Sequence, residues 1–133
     1  MSLKSQRLAQ EAYARIAARR DAPEGESYRK EYRSFAGDFP TLVHQCGLVQ
    51  AVAFAQARRE HRSDYLSDLA AMLSVVDHGS GNSAALAEDT RRLGVSAYVR
   101  LSRDALDAAV WMKRYVEALF EPTPQAVSTP EDS

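Results

Sequence analysis

Cysteine is nearly absent from this chain of 133 residues, and Cys46 stands alone. A lone cysteine excludes an internal disulfide framework and suits a reducing compartment. No stretch approaches the roughly 20 consecutive apolar residues of a membrane-spanning helix. The opening Met1-Ser-Leu-Lys-Ser-Gln-Arg7 lacks the apolar core of a secretory signal. These features predict a cytoplasmic protein. Charge of one sign is missing too: 17 basic and 18 acidic residues leave a formal net charge of −1. That balance argues against both a strongly basic nucleic-acid binder and an acidic disordered chain. Long alternations of apolar and polar residues, the mark of a half-buried strand, are also lacking.

What is present favours helices. The chain holds 22 Ala and 14 Arg against 3 Lys, and alanine and arginine are both good helix formers. Residues 3–20 place Leu8, Ala12 and Ile16 at i, i+4 and i+8, which predicts a first helix closed by Pro23 and Gly25. A short helix over 27–36 carries Tyr28, Tyr32 and Phe35 on one face and is expected to end at Gly37. The next is expected from Asp38–Pro40 to about Arg59, with Leu42, Val43, Cys46, Val49, Ala53 and Ala57 inward and Gly47 in mid-helix. Ser63 is expected to cap a fourth helix carrying Leu66, Leu69, Ala70, Leu73 and Val76. The loop Asp77-His-Gly-Ser-Gly-Asn82 precedes a helix from Ser83 to Leu93. After a turn near Val95–Ser96, Ser102 is expected to cap the last long helix, with Asp104 in its first turn. Residues 122–133, with three prolines, read as a disordered acidic tail. The expectation is an all-α fold: one compact bundle of five or six helices over residues 1–121.

Catalytic and metal patterns fail on spacing. His44 and Cys46, at i and i+2, point about 200° apart on a helix, and His61 and His78 fall on other segments. There is no Gly-x-Ser-x-Gly elbow, and the loop Gly79-Ser-Gly-Asn82 has neither a preceding strand nor a following Gly-Lys-Ser/Thr. Asp107 has Arg103 and Arg114 within helical reach as ion-pair partners. No enzyme activity, metal or cofactor is therefore expected. Cys46 reads as a small core residue.

Basic residues cluster at Arg19-Arg20, Arg29-Lys30 with Arg33, Arg58-Arg59 with Arg62, Arg91-Arg92 and Lys113-Arg114. Lys4, Arg7, Arg15 and Arg19 keep nearly one face of the first helix, and Arg29 and Arg33 are i, i+4 neighbours. The acidic tail offsets this set: residues 1–120 carry +2, and the first 36 residues +3. The candidates for RNA contact are Lys4, Arg7, Arg15, Arg19, Arg20, Arg29, Arg33, Arg58, Arg59 and Arg62. A solvated, ion-paired surface would show the same alternation with acids. The aromatic residues Tyr13, Tyr28, Tyr32, Phe35, Phe39, Phe54, Trp111 and Tyr115 lie at helical spacings, where core packing is the default. On the last helix Met112 and Val116 form one stripe and Trp111 and Tyr115 another, and a small domain hardly buries both. Trp111 and Tyr115 are therefore candidates for a protein interface.

The order of segments resembles a known family. Gln6-Arg-Leu-Ala-Gln-Glu-Ala-Tyr13 is followed by a Tyr-rich stretch ending in Phe39-Pro40, then a helix with Gly47-Leu48 and Ala53-Phe54-Ala55. Tyr98-Val-Arg-Leu-Ser-Arg-Asp-Ala-Leu106 and Trp111-Met-Lys-Arg-Tyr115 complete the pattern. Over about residues 3–120 it is similar to the small helical subunit, the fifth protein, of the Cmr set in type III-B CRISPR effector complexes. The resemblance implies an all-helical, non-catalytic protein that stacks in several copies along the complex, against the backbone subunits. It further implies that the protein lines the channel where target RNA pairs with guide RNA. A stand-alone helical adaptor, binding protein without RNA, is the competing expectation.

Overall fold

The computed structural model describes residues 2–57 and 59–120; Arg58 and the tail expected to be disordered lie outside the described residues. Six α-helices follow one another: α1 (Leu3–Arg20), α2 (Glu26–Cys46), α3 (Leu48–Ala55), α4 (Glu60–Ser74), α5 (Ser83–Arg92) and α6 (Val95–Leu119). The described residues contain no strand, as the composition predicts.

The first helix forms as its sequence says. The Ser2 side chain accepts from the Ser5 amide at 3.1 Å, supplying a partner for one of the donors that a helix start leaves unpaired. Leu8, Ala12 and Ile16 are buried at 1% exposure or less, and this stripe lies mainly against α6. Each large member contributes about 1.5–3 kcal/mol of apolar burial.

Between residues 26 and 59 the expected boundaries move. Helix α2 runs unbroken through Gly37 and Pro40, and the break comes at Gly47 instead. Tyr28, Tyr32, Phe35, Ala36, Phe39 and Val43 make one continuous buried face, and burying it outweighs the roughly 1 kcal/mol of a helical glycine and the roughly 3 kcal/mol of an interior proline. Gly47 has φ +84°, a backbone conformation that costs residues with a Cβ dearly. The break resets the phase of the next helix. Leu48, Ala51, Val52 and Ala55 turn inward, while Cys46, Val49, Ala53 and Ala57, expected inside, are exposed. Phe54 is 47% exposed, so it is not a core ring.

Two caps also differ from expectation. Helix α4 starts at Glu60, leaving Ser63 inside it. No breaker lies between residues 95 and 119, so α6 propagates through the expected turn at Val95–Ser96 and through Ser102. Asn82 caps α5, its Oδ1 accepting from the amides of Ala84 and Ala85 at 2.8 and 3.1 Å. The core is aromatic at its centre: the Tyr65 ring lies 4.9 Å from Phe39, 5.3 Å from Phe35 and 5.9 Å from Tyr32. Phe120, beyond α6, stacks on Tyr32 at 6.1 Å.

Candidate functional site

The ten cations nominated for RNA divide sharply by what they touch. Arg15 and Arg19 project from α1 onto Asp68, an acid 1% exposed in the apolar face of α4. Arg15 Nε donates to Asp68 Oδ1 at 3.0 Å, and Arg19 donates through Nε and Nη2 at 2.8 and 3.1 Å. The Tyr32 hydroxyl adds a bond to Oδ2 at 2.6 Å. Arg19 also reaches Asp64 at 3.4 Å, and Asp64 accepts from the Tyr28 hydroxyl. Burial works against the Arg19 charge, yet the Asp68 hydrogen bonds and attraction raise its pKa further. Burial, reinforced by Asp68, pushes the Tyr32 hydroxyl well above its ordinary value. Burial and then Asp64 raise Tyr28. This is a structural clasp joining α1, α2 and α4.

Lys4 is engaged as well. It meets both oxygens of Asp104 at 3.2 Å, and His78 Nε2 lies 2.6 Å from Asp104 Oδ2. Asp104 is therefore a buried partner of α1 and the α4–α5 loop rather than a first-turn acid. Asp107, expected to pair with Arg103 or Arg114, forms an ion pair with neither. Burial and the nearby Asp104 raise its carboxyl above the usual value.

Arg20 pairs with Asp21 at 3.0 Å, and Arg29 donates to the Ala22 carbonyl at 3.2 Å. Arg7 and Arg59 are exposed, and Arg33 is half-buried on the outer side of α2. Arg62 lies over the Phe54 ring, 4.2 Å from its centroid, and its buried Nε has no hydrogen-bond partner among the described residues. That pair borders an open groove of about 560 Å³ with Glu31, Asp38, Arg59 and His61. Burial holds His61 below its ordinary pKa against the opposing pull of Glu31.

A second groove, of about 510 Å³, runs between α2 and α6, lined by Lys30, Arg33, Ser34, Gly37, Asp38, Lys113, Val116 and Glu117. Lys30 and Lys113 were not among the nominated positions. The sequence did show them, as members of its basic clusters.

The nominated interface pair sits at the edge of the core. Trp111 and Tyr115 stack at 5.8 Å, and the 50%-exposed Tyr13 of α1 meets Tyr115 edge-to-face at 5.5 Å. Met112 and Val116 are the buried stripe of the same helix. Other apolar side chains stand farther into solvent, with Val95 82% and Leu3 64% exposed. Glu24, Glu60 and Asp64 bring carboxylate oxygens within 4.8 Å of one another, but Asp64 is already held by Tyr28 and Arg19.

Residues 4–119 match the family described as CRISPR-associated protein (Cas_Cmr5). The chain belongs to the Cmr5 family. A Thermus thermophilus protein named as the Cmr5 subunit of a CRISPR Cmr system is 41% identical over 122 residues, covering 91% of this chain and 99% of that one. The X-ray crystal structure of a Cmr5 family protein, also from Thermus thermophilus, superposes with a TM-score of 0.78 at 39% identity, covering 91% of this chain and 100% of that one. The Cmr5 resemblance read from the sequence is therefore correct, and no helix of the described residues is long and apolar enough to cross a membrane.

Proposed function

We propose that this chain is the Cmr5 subunit of a CRISPR Cmr complex. It serves as a non-catalytic structural part that stacks along the effector filament and helps position guide or target RNA in antiviral defence. Its partners on this reading are the backbone subunits, neighbouring copies of itself, and RNA. The observation that carries the reading is the apolar surface left over once the core is complete. Val95, Leu3, Tyr13, Phe54 and Val99 are 47–82% exposed on a domain otherwise closed around its own core. Side chains of this size, spread over several faces, suit a subunit covered by several neighbours. Several copies on one filament also relieve each of the need for a large charge, because weak contacts to one RNA add as avidity.

Reconstitution of the complex without this chain tests the proposal. Target-RNA capture should weaken, or the assembly shorten, while cleavage activity on other subunits survives. Normal assembly and normal affinity would overturn it. One observation favours the adaptor reading for part of the surface: Lys4, Arg15 and Arg19 are engaged by Asp104 and Asp68 inside the domain. On this reading RNA contact falls to the other nominated positions, Arg7, Arg29, Arg33, Arg58, Arg59 and Arg62, and to Arg20, whose pair with Asp21 lies at the surface.

A further inference from the structure

We infer that the groove between α2 and α6 binds the sugar–phosphate backbone of an RNA strand through Lys30 and Lys113, with Gly37 as its bare floor. The inference rests on the reading that this chain positions RNA, and it names a site where that happens. Three observations carry it. Lys30 and Lys113 form no ion pair with any described residue, in contrast to Lys4, Arg15, Arg19 and Arg20. They face one concavity of about 510 Å³, together with Arg33. At its floor lies Gly37, a glycine in the middle of a 21-residue helix.

Glycine inside a helix costs about 1 kcal/mol against alanine, so its presence calls for a cause. Close packing of a neighbouring helix is not that cause, since a Cβ built at Gly37 meets nothing within 4 Å. Nor is a special backbone conformation, because Gly37 is absent from the positive-φ positions. The remaining physical use of a bare α-carbon is close approach by something outside the domain. The cations around it suit an anion in an extended polymer, and lysine serves phosphate as a point charge.

The groove also sets its own limit. Asp38 and Glu117 line it beside the three cations, a near balance that disfavours dense negative charge. Such a site contributes modestly in one copy and more in a repeated array.

The experiment uses the assembled complex and a labelled target RNA, titrated over a range of salt concentrations. Complexes would carry the Lys30→Glu/Lys113→Glu pair, Gly37→Leu, or Arg91→Glu as an exposed control on α5. Gly37→Ala adds only the Cβ that the groove floor lacks, which meets nothing within the domain, so it tests close approach with the smallest change. The groove variants should assemble normally and capture RNA about fivefold more weakly, a size expected for two surface charge contacts. The lysine pair should also flatten the salt dependence by about one contact per lysine, while Gly37→Ala weakens capture less than Gly37→Leu and Arg91→Glu matches the parent. Unchanged capture by both groove variants, in a complex whose capture falls when the chain is omitted, overturns the groove and leaves the broader reading standing. Capture indifferent to omission of the chain overturns that reading itself. Groove variants that fold but fail to enter the complex would mark the groove as a protein contact and overturn the inference.

Discussion

Around Asp68 the arginines of α1 turn inward onto a buried carboxylate, whereas along the α2–α6 groove Lys30 and Lys113 pair with no acid among the described residues. Both regions are basic in the sequence, and their physical roles are opposite. In the first, geometry offsets the cost of burying charge: two guanidinium forks and a phenol satisfy one carboxylate that water cannot reach. In the second, Lys30 is exposed and Lys113 half-buried, and neither is held by an acid, so each contributes little to stability and stays available. Cationic character is therefore a poor guide to binding until each cation's partner is known.

Removing the carboxylate should separate the two regions most strongly. Asp68→Ala leaves Arg15, Arg19 and the Tyr32 hydroxyl without their shared acceptor, and thermal or urea unfolding should show a loss of about 3–5 kcal/mol. A loss below about 1 kcal/mol would mean that the clasp is an exposed pair in energetic terms. The next contrast lies between two buried phenols. The Tyr32 hydroxyl is bonded to Asp68, while the Tyr65 hydroxyl is buried with no partner among the described residues. Tyr32→Phe should cost about 1 kcal/mol, and Tyr65→Phe should be neutral or stabilising by up to about 1 kcal/mol. Equal effects from the two would dissolve that contrast.

Acid should act on the protein through His61. Burial lowers its pKa from the ordinary 6.5, so the folded state binds fewer protons there than the unfolded chain. This contribution is complete above pH 6.5 and declines as pH falls through the lowered value. Denaturation midpoints at about pH 7.5 and about pH 5.5 measure it, and His61→Gln should remove part of the difference. The smallest effect belongs to the groove. Neutralising Lys30 and Lys113 with glutamine should shift stability by no more than about 0.5 kcal/mol. A larger loss would place those lysines in the fold's own framework.

The sequence was most legible where periodicity alone decides. Leu8, Ala12 and Ile16 on α1 are buried as their spacing predicts, and Met112 and Val116 are the inward stripe of α6. It misled where one backbone angle decides. Gly37 and Gly47 look alike as letters, yet only Gly47 adopts positive φ, and that choice turns Cys46 and Val49 outward. Pairings across the fold were the least visible, because Asp68 lies 49 residues from Arg19. A signal did exist for it. Asp68 stands among Tyr65, Leu69 and Met72 at i−3, i+1 and i+4, and an acid in such a stripe demands cations from elsewhere. Family membership came from the order of segments, which survives errors in helix boundaries.

The clasp has one more consequence, which concerns the alternatives that the chain avoids. Helix α1 packs mainly on α6 and touches α4 less extensively, so apolar contact alone sets its register along α4 weakly. Sliding by one turn moves a side chain about 5.4 Å, far enough to pull both guanidiniums off Asp68 and leave a buried carboxylate with no cation beside it. Asp68 thus acts as a register pin: it raises the free energy of the wrong alignments, and so leaves an alanine-rich bundle with one arrangement to occupy.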